Sequence, residues 1–445
     1  MPGIRSRGLR ARKSLKAAAS RPQEVTRLQM NLLRRHAAFR NLWFGQTISV
    51  FGDQITMIAL PLVAVLTLDA GPLAVGVLAA AGWAPHLVLS LGVGEWIDRR
   101  SSKRRALVWA DVLRAATLAT IPLAYAVDAL TLAHLFAVAL TVGSLTVVFD
   151  MAYATFLPLV VPREDVVEAQ GRMSVSRSAS YIGGPALGGA LVQALTAPVA
   201  LAADALSFLG SALFVSRARV AEPEPEVAEG TLWSRLGVGL RFVFTHPLLR
   251  AGVLCTSTIN FFNLAFNAIL VLFMSEELGL SPGLIGVVFS AGAVGALAGA
   301  LVAPAVGRRL GIGPAVVAGA VLFPLPLVTF PLAGGPEWAV VATLIAAEAL
   351  SSIGVMLYDV NLNSLNLLAT PWRLRGRQSG AARLPNYGVR PLGALAGGLL
   401  AEAIGLRGAL LIGALGALGG VLWLLASPMP RTREIAEAEA EAAVA

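Results

Sequence analysis

Residues 94–105 read GEWIDRRSSKRR and stand between two apolar runs, 73–97 and 106–127. A run of about 20 apolar residues is long enough to cross a bilayer as a helix. A basic cluster between two such runs marks a loop held on one side of the membrane. The arrangement returns 209 positions later, where Gly307-Arg308-Arg309 takes the place of Asp98-Arg99-Arg100. At the same offset Phe149-Asp150 meets Tyr358-Asp359 and Pro162 meets Pro371; an offset of 210 aligns Pro72 with Pro282 and Gly76 with Gly286. A chain of 445 residues that repeats itself once, with both copies strongly apolar, reads as a duplicated membrane unit. Many secondary transporters are built this way, with the solute site between the halves.

Composition agrees. The mean hydropathy is +0.72 and only 14% of residues are charged, against about 25% in soluble domains. Twelve apolar segments are spans by length, near 42–67, 73–97, 106–127, 132–158, 174–195, 198–216, 251–275, 283–306, 313–333, 337–365, 379–402 and 407–426. Within lipid the backbone must satisfy its own hydrogen bonds, so the spans are expected as helices. The expected fold is therefore an all-α membrane protein of 12 transmembrane helices, arranged as two pseudo-symmetric six-helix bundles. The expected division is a basic tail over 1–40, a first bundle over 41–216, a linker over 217–250, a second bundle over 251–427 and a tail over 428–445.

The basic residues set the orientation. The tail to Arg40 holds 11 Lys or Arg, the 98–105 loop 5, 161–177 3, 217–250 5, Arg308 and Arg309 2, 370–383 4, and the segment after 427 2, which makes 32 of 35. Only Arg407 falls in the intervening loops, while Arg114 and Arg390 lie inside spans. This alternation places both termini and every large loop in the cytoplasm and implies an even number of spans. The net charge of +9 is then orientation charge, drawn to anionic headgroups, and requires no nucleic-acid partner. In the linker, Leu232, Trp233, Leu236, Leu240, Val243 and Phe244 recur at helical spacing beside Arg235 and Arg241, a pattern that suits a helix lying flat on the inner leaflet. The one cysteine, Cys255, excludes an intrachain disulfide and reads as a small buried residue.

Gly94, Asp98, Arg99 and Arg100, followed by Lys103-Arg104-Arg105, resemble the loop 2–3 motif of the major facilitator superfamily, Gly-x-x-x-Asp-Arg-x-Gly-Arg-Arg/Lys, with Ser101 in place of the second Gly. In that reading Asp98 faces a neighbouring helix N-terminus and Arg99 pairs with an acid, a latch between the halves. The matching loop has Gly307 where the Asp would be, which weakens its latch. On the fifth span, Gly183-Gly184-Pro185-Ala186-Leu187-Gly188-Gly189 resembles the exporter motif Gly-Pro-x-x-Gly-Gly, with Ser180 at the position of a further Gly. Pro185 lacks an N–H and bends the helix, while Gly184, Gly188 and Gly189 admit a close neighbour. Residues 149–158, 237–247 and 358–377 are similar to the macrolide- and siderophore-exporter branch of drug/proton antiporters, the resemblance covering 36–426. Asn366 stands where that branch has an Arg, and Arg390 where it has an apolar residue. The resemblance implies proton-coupled export. Arg outnumbers Lys 32 to 3 and the loops are short, which fits a bacterial plasma membrane, and the chain is expected to act as a monomer.

Ionisable groups inside the bilayer carry the expected mechanism, because a charge at its centre costs roughly 2.5–3.5 kcal/mol and so turns into the bundle. Asp53 lies about twelve residues into the first span, ~18 Å deep; Glu348 and Arg390 sit at similar depths on the tenth and eleventh. Moving a carboxyl between dry and wet surroundings changes its hold on a proton. Asp53 or Glu348 is therefore expected to carry the coupling proton, with Arg390 competing for the carboxylate; a permanent buried ion pair is the alternative. Asp150 and Asp359, in matching repeat positions nearer the cytoplasmic ends, read as gating or helix-capping residues. Asn260, Asn263 and Asn267 share one face of the seventh span beside Phe261, Phe262 and Phe266, which suits an amphiphilic solute; interhelical hydrogen bonding is the bland reading. Asp111 and Arg114 are spaced for a local ion pair, and His86 and His134 read as structural.

No Gly-x-x-x-x-Gly-Lys loop is present to drive ATP-powered pumping, and four histidines with one cysteine offer no metal cluster. No cofactor is expected beyond an ion gradient, of protons or of sodium, which carboxylates and amides also suit. The first expectation is a secondary exporter of amphiphilic small molecules and not an enzyme. The alternatives are an importer or uniporter of a metabolite, such as an anion held by Arg390, and a receptor or scaffold that has lost transport.

Overall fold

The computed structural model describes residues 32–98, 102–222 and 232–433, and no strand occurs among them. In chain order the helices are α1 (Ala37–Leu62), α2 (Pro72–Asp98), α3 (Lys103–Ala126), α4 (Leu132–Phe156), α5 (Val166–Ala194), α6 (Ala197–Arg217), α7 (Leu232–Thr245), α8 (Pro247–Leu272), α9 (Pro282–Leu310), α10 (Ile312–Leu322), α11 (Glu337–Leu368), α12 (Arg375–Gly419) and the short α13 (Val421–Leu425). Local chemistry fixes the starts. Proline opens α2, α8 and α9, where its missing N–H costs nothing. Thr131 accepts from the His134 amide at the head of α4, and Ser281 from the Leu284 amide at the head of α9.

Ten segments among the described residues are long and apolar enough to span a membrane. Gln378–Leu425 is one of the ten, and α5, 29 residues long, is not among them because its Ser, Gly, Gln and Arg residues make it less apolar. The chain nevertheless turns back inside α12, at Gly405 (φ 81°, ψ 163°). Before the break, Gly393 lies against Phe261 and Gly397 against Ala265, climbing α8; after it, Gly413 lies against Phe266, Gly416 against Phe262 and Gly420 against Cys255, descending the same helix. Two antiparallel arms result, consistent with twelve crossings. The expected ninth span over 313–333 is helical only to Leu322. Pro324, Pro326 and Pro331 each remove a backbone donor, and the segment continues as turns and a single 3-10 stretch, Pro326–Thr329.

The duplication is written into the backbone. Each half's first helix ends in a π-turn, Val63–Thr67 and Phe273–Glu277, then a left-handed residue, Asp69 (φ 49°) and Gly279 (φ 63°), then a proline-headed helix. The amide of Ala70 donates to Ala64 O and that of Leu280 to Met274 O, both 2.9 Å. All these pairs are 210 positions apart. The 3-10 turns Arg163–Asp165 and Trp372–Leu374, which lead into α5 and α12, are 209 apart.

Outward side chains such as Leu301 and Leu422 are 75% and 68% exposed, which in a bilayer means contact with lipid tails. Inside, the apolar core is continuous across the halves, taking in Ile55, Phe208, Phe266 and Leu344. The helix α7 rests one face on the second half and leaves Val238 and Phe244 exposed. Val243 is fully buried and Phe242 nearly so, in a cluster with Leu362 and Ala381 of α11 and α12, because protein offers that apolar face a better-packed partner. Glu222, just past α6, accepts from Ser102 Oγ (3.0 Å) and from the Lys103 and Arg104 amides, so the start of the linker caps α3.

Two seams join the halves, α2 with the first arm of α12 and α5 with α9. Small residues allow both. A Cβ on Gly76 would come 2.8 Å from Gly398 Cα, and one on Gly286 would strike the Pro185 carbonyl. The Ala186 amide donates to Ser290 Oγ (3.1 Å) and the Gly283 amide to Gln193 Oε1 (3.1 Å), both across the second seam. All these contacts lie toward the end opposite the basic loops. On the basic side, Gly92, Gly94 and Gly380 have nothing within 4 Å of where a Cβ would stand.

Candidate functional site

A cavity of about 410 Å³ lies in the second half, walled by α8, α11 and the first arm of α12, within the 300–1,000 Å³ range of small-molecule sites. Helical spacing builds it. Asn260, Asn263 and Asn267 fall on one face of α8, and Glu348, Ser351, Ser352 and Asp359 on one face of α11. Asn386 and Arg390, one turn apart on α12, close the wall. Asn260 Nδ2 donates to Asn386 Oδ1 (2.7 Å) and to Thr256 O (2.8 Å); Asn267 Nδ2 donates to Asn263 O (2.9 Å). Of the three phenylalanines expected beside the amides, only Phe266 reaches the cavity. Phe261 and Phe262 pack edge-to-face (5.1 Å), with Phe262 against Gly416, because helical rotation carries them off the amide face.

The charges in this cavity are unmatched. Glu348 makes no hydrogen bond or ion pair with any described residue and has no charged neighbour. The Arg390 guanidinium lies 4.5 Å from the Trp83 ring and 4.4 Å from the Tyr387 ring, and its Nε has no hydrogen-bond partner. Asp359 is its one nearby carboxylate, within electrostatic range and not in ion-pair contact. Trp83 belongs to the first half, so this cation joins the halves at mid-depth. His86 stacks on Tyr387 (6.1 Å) from the same face of α2, with Nδ1 unpartnered.

A second polar group fills the first half. Asp111 and Arg114 form a buried pair on α3, and the guanidinium lies 4.4 Å from the Phe149 ring and 4.3 Å from the Phe208 ring. Asp204 on α6 is fully buried and accepts from Thr56 and from Ser207 Oγ (2.8 Å). Any side chain at Gly52 would collide with Asp204 and Ser207. Asp53, the next residue, reaches open space while lying in electrostatic range of Asp204, Arg114, Asp111 and Asp150, so it faces into the bundle.

The residues singled out in the sequence thus separate into two groups. Glu348, Arg390, Asp359 and the three asparagines share the second-half cavity, whereas Asp53 stands apart with the first-half acids. Arg390, expected to compete for Asp53 or Glu348, is placed nearest Asp359. Asp150 lies in range of Arg114 and Arg177. Gly184 and Gly188 fit against Gln54 and Ile55 of α1, while Gly189 meets Pro282 of the other half. Gly94 lies on α2 near its basic end; the side chain of Asp98 and all of Arg99 and Arg100 fall outside the described residues. His134 bonds Thr120 Oγ1 (2.8 Å). Cys255 is buried, and His246, at the α7–α8 corner outside the spans, has its imidazole pushed below its ordinary range by burial. The sequence reading passed over Asp204, Asn386 and Trp83. A lone Asp in the apolar 198–216 run was the available signal for the first.

A family model described as transmembrane secretion effector matches residues 32–443. The chain is 27% identical over 412 residues to the multidrug efflux pump Tap of Mycolicibacterium fortuitum, covering 86% of this chain and 93% of that protein. It is 26% identical over 418 residues to the MFS-type transporter YfiS of Bacillus subtilis (strain 168), covering 91% and 97%. Among solved structures, the nucleoside transporter NupG shares the fold with a TM-score of 0.71 at 12% identity, covering 87% of this chain and 99% of that one. A bacterial homologue of the iron transporter ferroportin, in an inward-facing state, gives 0.69 at 17%, covering 88% and 98%.

Proposed function

The chain belongs to the transmembrane secretion effector family, as a membrane transporter of the major facilitator type and not an enzyme, and from that premise we propose that it exports amphiphilic small molecules in exchange for protons. The basic loops and both termini face the cytoplasm of a bacterium whose plasma membrane holds the chain. The seams closed at the far end and open at the basic end then correspond to an inward-facing state, able to collect solute from the cytoplasm. The halves rock about the mid-depth contacts to expose the cavity on the other side. Asp53 or Glu348 carries the coupling proton, and each inward charge contributes about 2.3 kcal/mol per 100 mV.

The observation that supports this most is an amide-lined cavity of drug size holding unmatched charges, in a chain whose relatives include proteins named multidrug efflux pumps. Arg390 without a hydrogen bond at Nε also favours a second reading, uptake of an anionic metabolite. Cells overproducing the protein should accumulate less of a lipophilic dye than cells with an empty vector, and a protonophore should abolish the difference. Greater accumulation would favour uptake, and no change across a broad dye panel, with normal membrane insertion, would remove the export reading.

A further inference from the structure

Two carboxyl groups and one guanidinium line this cavity with no ion-pair contact among them, an unusual arrangement inside a bilayer, where a lone charge is costly. Glu348 and Asp359 are eleven residues apart on α11, three helical turns and ~16 Å along its axis. Both face the cavity, so its anionic group and its cation, Arg390 beside Asp359, stand at opposite ends. The amides of Asn260, Asn263 and Asn386 line the space between, and the Phe266 ring supplies an apolar surface. Arg390 is held over two aromatic rings, which position the guanidinium without accepting from its N–H groups in conventional hydrogen bonds. The Nδ1 atom of His86 stands unpartnered in the same aromatic cluster.

We propose that the cavity takes amphoteric amphiphiles, molecules carrying a cationic amine at one end and a carboxylate or equivalent acidic oxygen at the other. The amine sits at Glu348 and the acid at Arg390. Such a solute satisfies both unmatched groups at once, whereas a plain cation leaves Arg390 without acceptors and a plain anion leaves Glu348 buried and alone. Asp359 is the built-in competitor: it shares Arg390 with the arriving carboxylate, so it must move aside or take up a proton as the acid docks. The proposal rests on the export reading above, of which it specifies the solute.

Rhodamine B and its ethyl ester form a matched pair of probes, the first a zwitterion at neutral pH and the second a plain cation. Binding of each to the purified full-length protein in nanodiscs is read by fluorescence anisotropy, with fluorescein as the anionic probe. Rhodamine B should bind about tenfold tighter than its ester, as a charge-assisted hydrogen bond to Arg390 predicts, and fluorescein should bind weakest. In Arg390→Gln the preference should fall to within about twofold while ester binding persists, which also shows that the variant is folded. Glu348→Gln should weaken both rhodamines, and Asp359→Asn should enlarge the preference for the acid. Equal affinity of acid and ester in the wild type, or an unchanged preference in Arg390→Gln, overturns the amphoteric assignment and leaves export of cationic amphiphiles standing. Absence of binding by all three probes overturns the assignment and counts against the export reading itself.

Discussion

Trp83 and Arg390 belong to opposite halves of the molecule, yet the guanidinium lies 4.5 Å from the indole ring at mid-depth. Above this contact the α2–α12 seam is closed by facing glycines, and below it Gly92 and Gly380 have no neighbour. The pair therefore marks the pivot level between the closed and open parts of the seam. A contact of this kind is worth about 1 kcal/mol. Trp83→Leu should change the ratio of conformers by roughly fivefold, visible as a redistribution of distances between spin labels at the two ends of α2 and α12. An unchanged distribution would show that the contact does not bias the equilibrium.

The second seam tests closure of the far end. A side chain on Gly286 would meet the Pro185 carbonyl, and overpacking of this kind costs about 1–3 kcal/mol. Gly286→Val should force α5 and α9 apart. A thiol introduced at Ser281 should then react faster with a membrane-impermeant reagent applied from the far side, and solute export should drop sharply.

Asp53 and Glu348 occupy separate sites, so their roles can be told apart. Asp53→Asn and Glu348→Gln are each expected to bind dye, and one of them should lose its dependence on the proton gradient. Counterflow in proteoliposomes, which needs no net proton movement, should survive in that variant while gradient-driven transport fails. Full coupling in both would end the assignment of the proton to either acid.

The buried pair Asp111 and Arg114 makes a stability prediction. Asp111→Asn strands a guanidinium between two phenylalanine rings, and breaking a buried pair costs about 3–5 kcal/mol. Replacing both, as Asp111→Leu with Arg114→Met, should recover most of the loss. Thermal unfolding in detergent compares the three proteins, and a double variant no better than the single would show that Arg114 is held by something other than its pair.

His246 sets a pH dependence outside the membrane. Its imidazole is pushed down by burial, so the unfolded chain binds its proton more readily than the folded one. Stability contributed by this group is present above the ordinary histidine value and declines as pH falls through it. His246→Gln should flatten the decline in melting temperature between neutral and mildly acidic pH; an identical slope would show that the burial is relieved by local opening.

Much of the fold was legible because it rests on patterns that survive in one dimension. Apolar run length gave the spans, and the offset that aligns Pro72 with Pro282 and Pro162 with Pro371 gave the duplication. The break within 313–333 was signalled by Pro324 and Pro326 and was outweighed by apolar content. The site was harder, since its partners lie far apart in sequence. Asp204 meets Thr56 across 148 residues, and Asn260 meets Asn386 across 126; no spacing rule links such positions. The aromatic cradle of Arg390 was hidden for the same reason. Trp83 sits in an unremarkable apolar run, and only folding brings it over the cation.

The matched corners at Val63–Thr67 and Phe273–Glu277 have a further consequence. Each half turns its first hairpin with the same hydrogen bond and a left-handed residue at the matching position, yet the first half buries Asp204 against Thr56 and Ser207 while the second opens a cavity around Glu348 and Arg390. Ancestral symmetry has been kept in the scaffold and surrendered in the lining. On the proposed reading, new cargo preferences arise by altering α8, α11 and α12, with Trp83 of the opposite half still cradling Arg390.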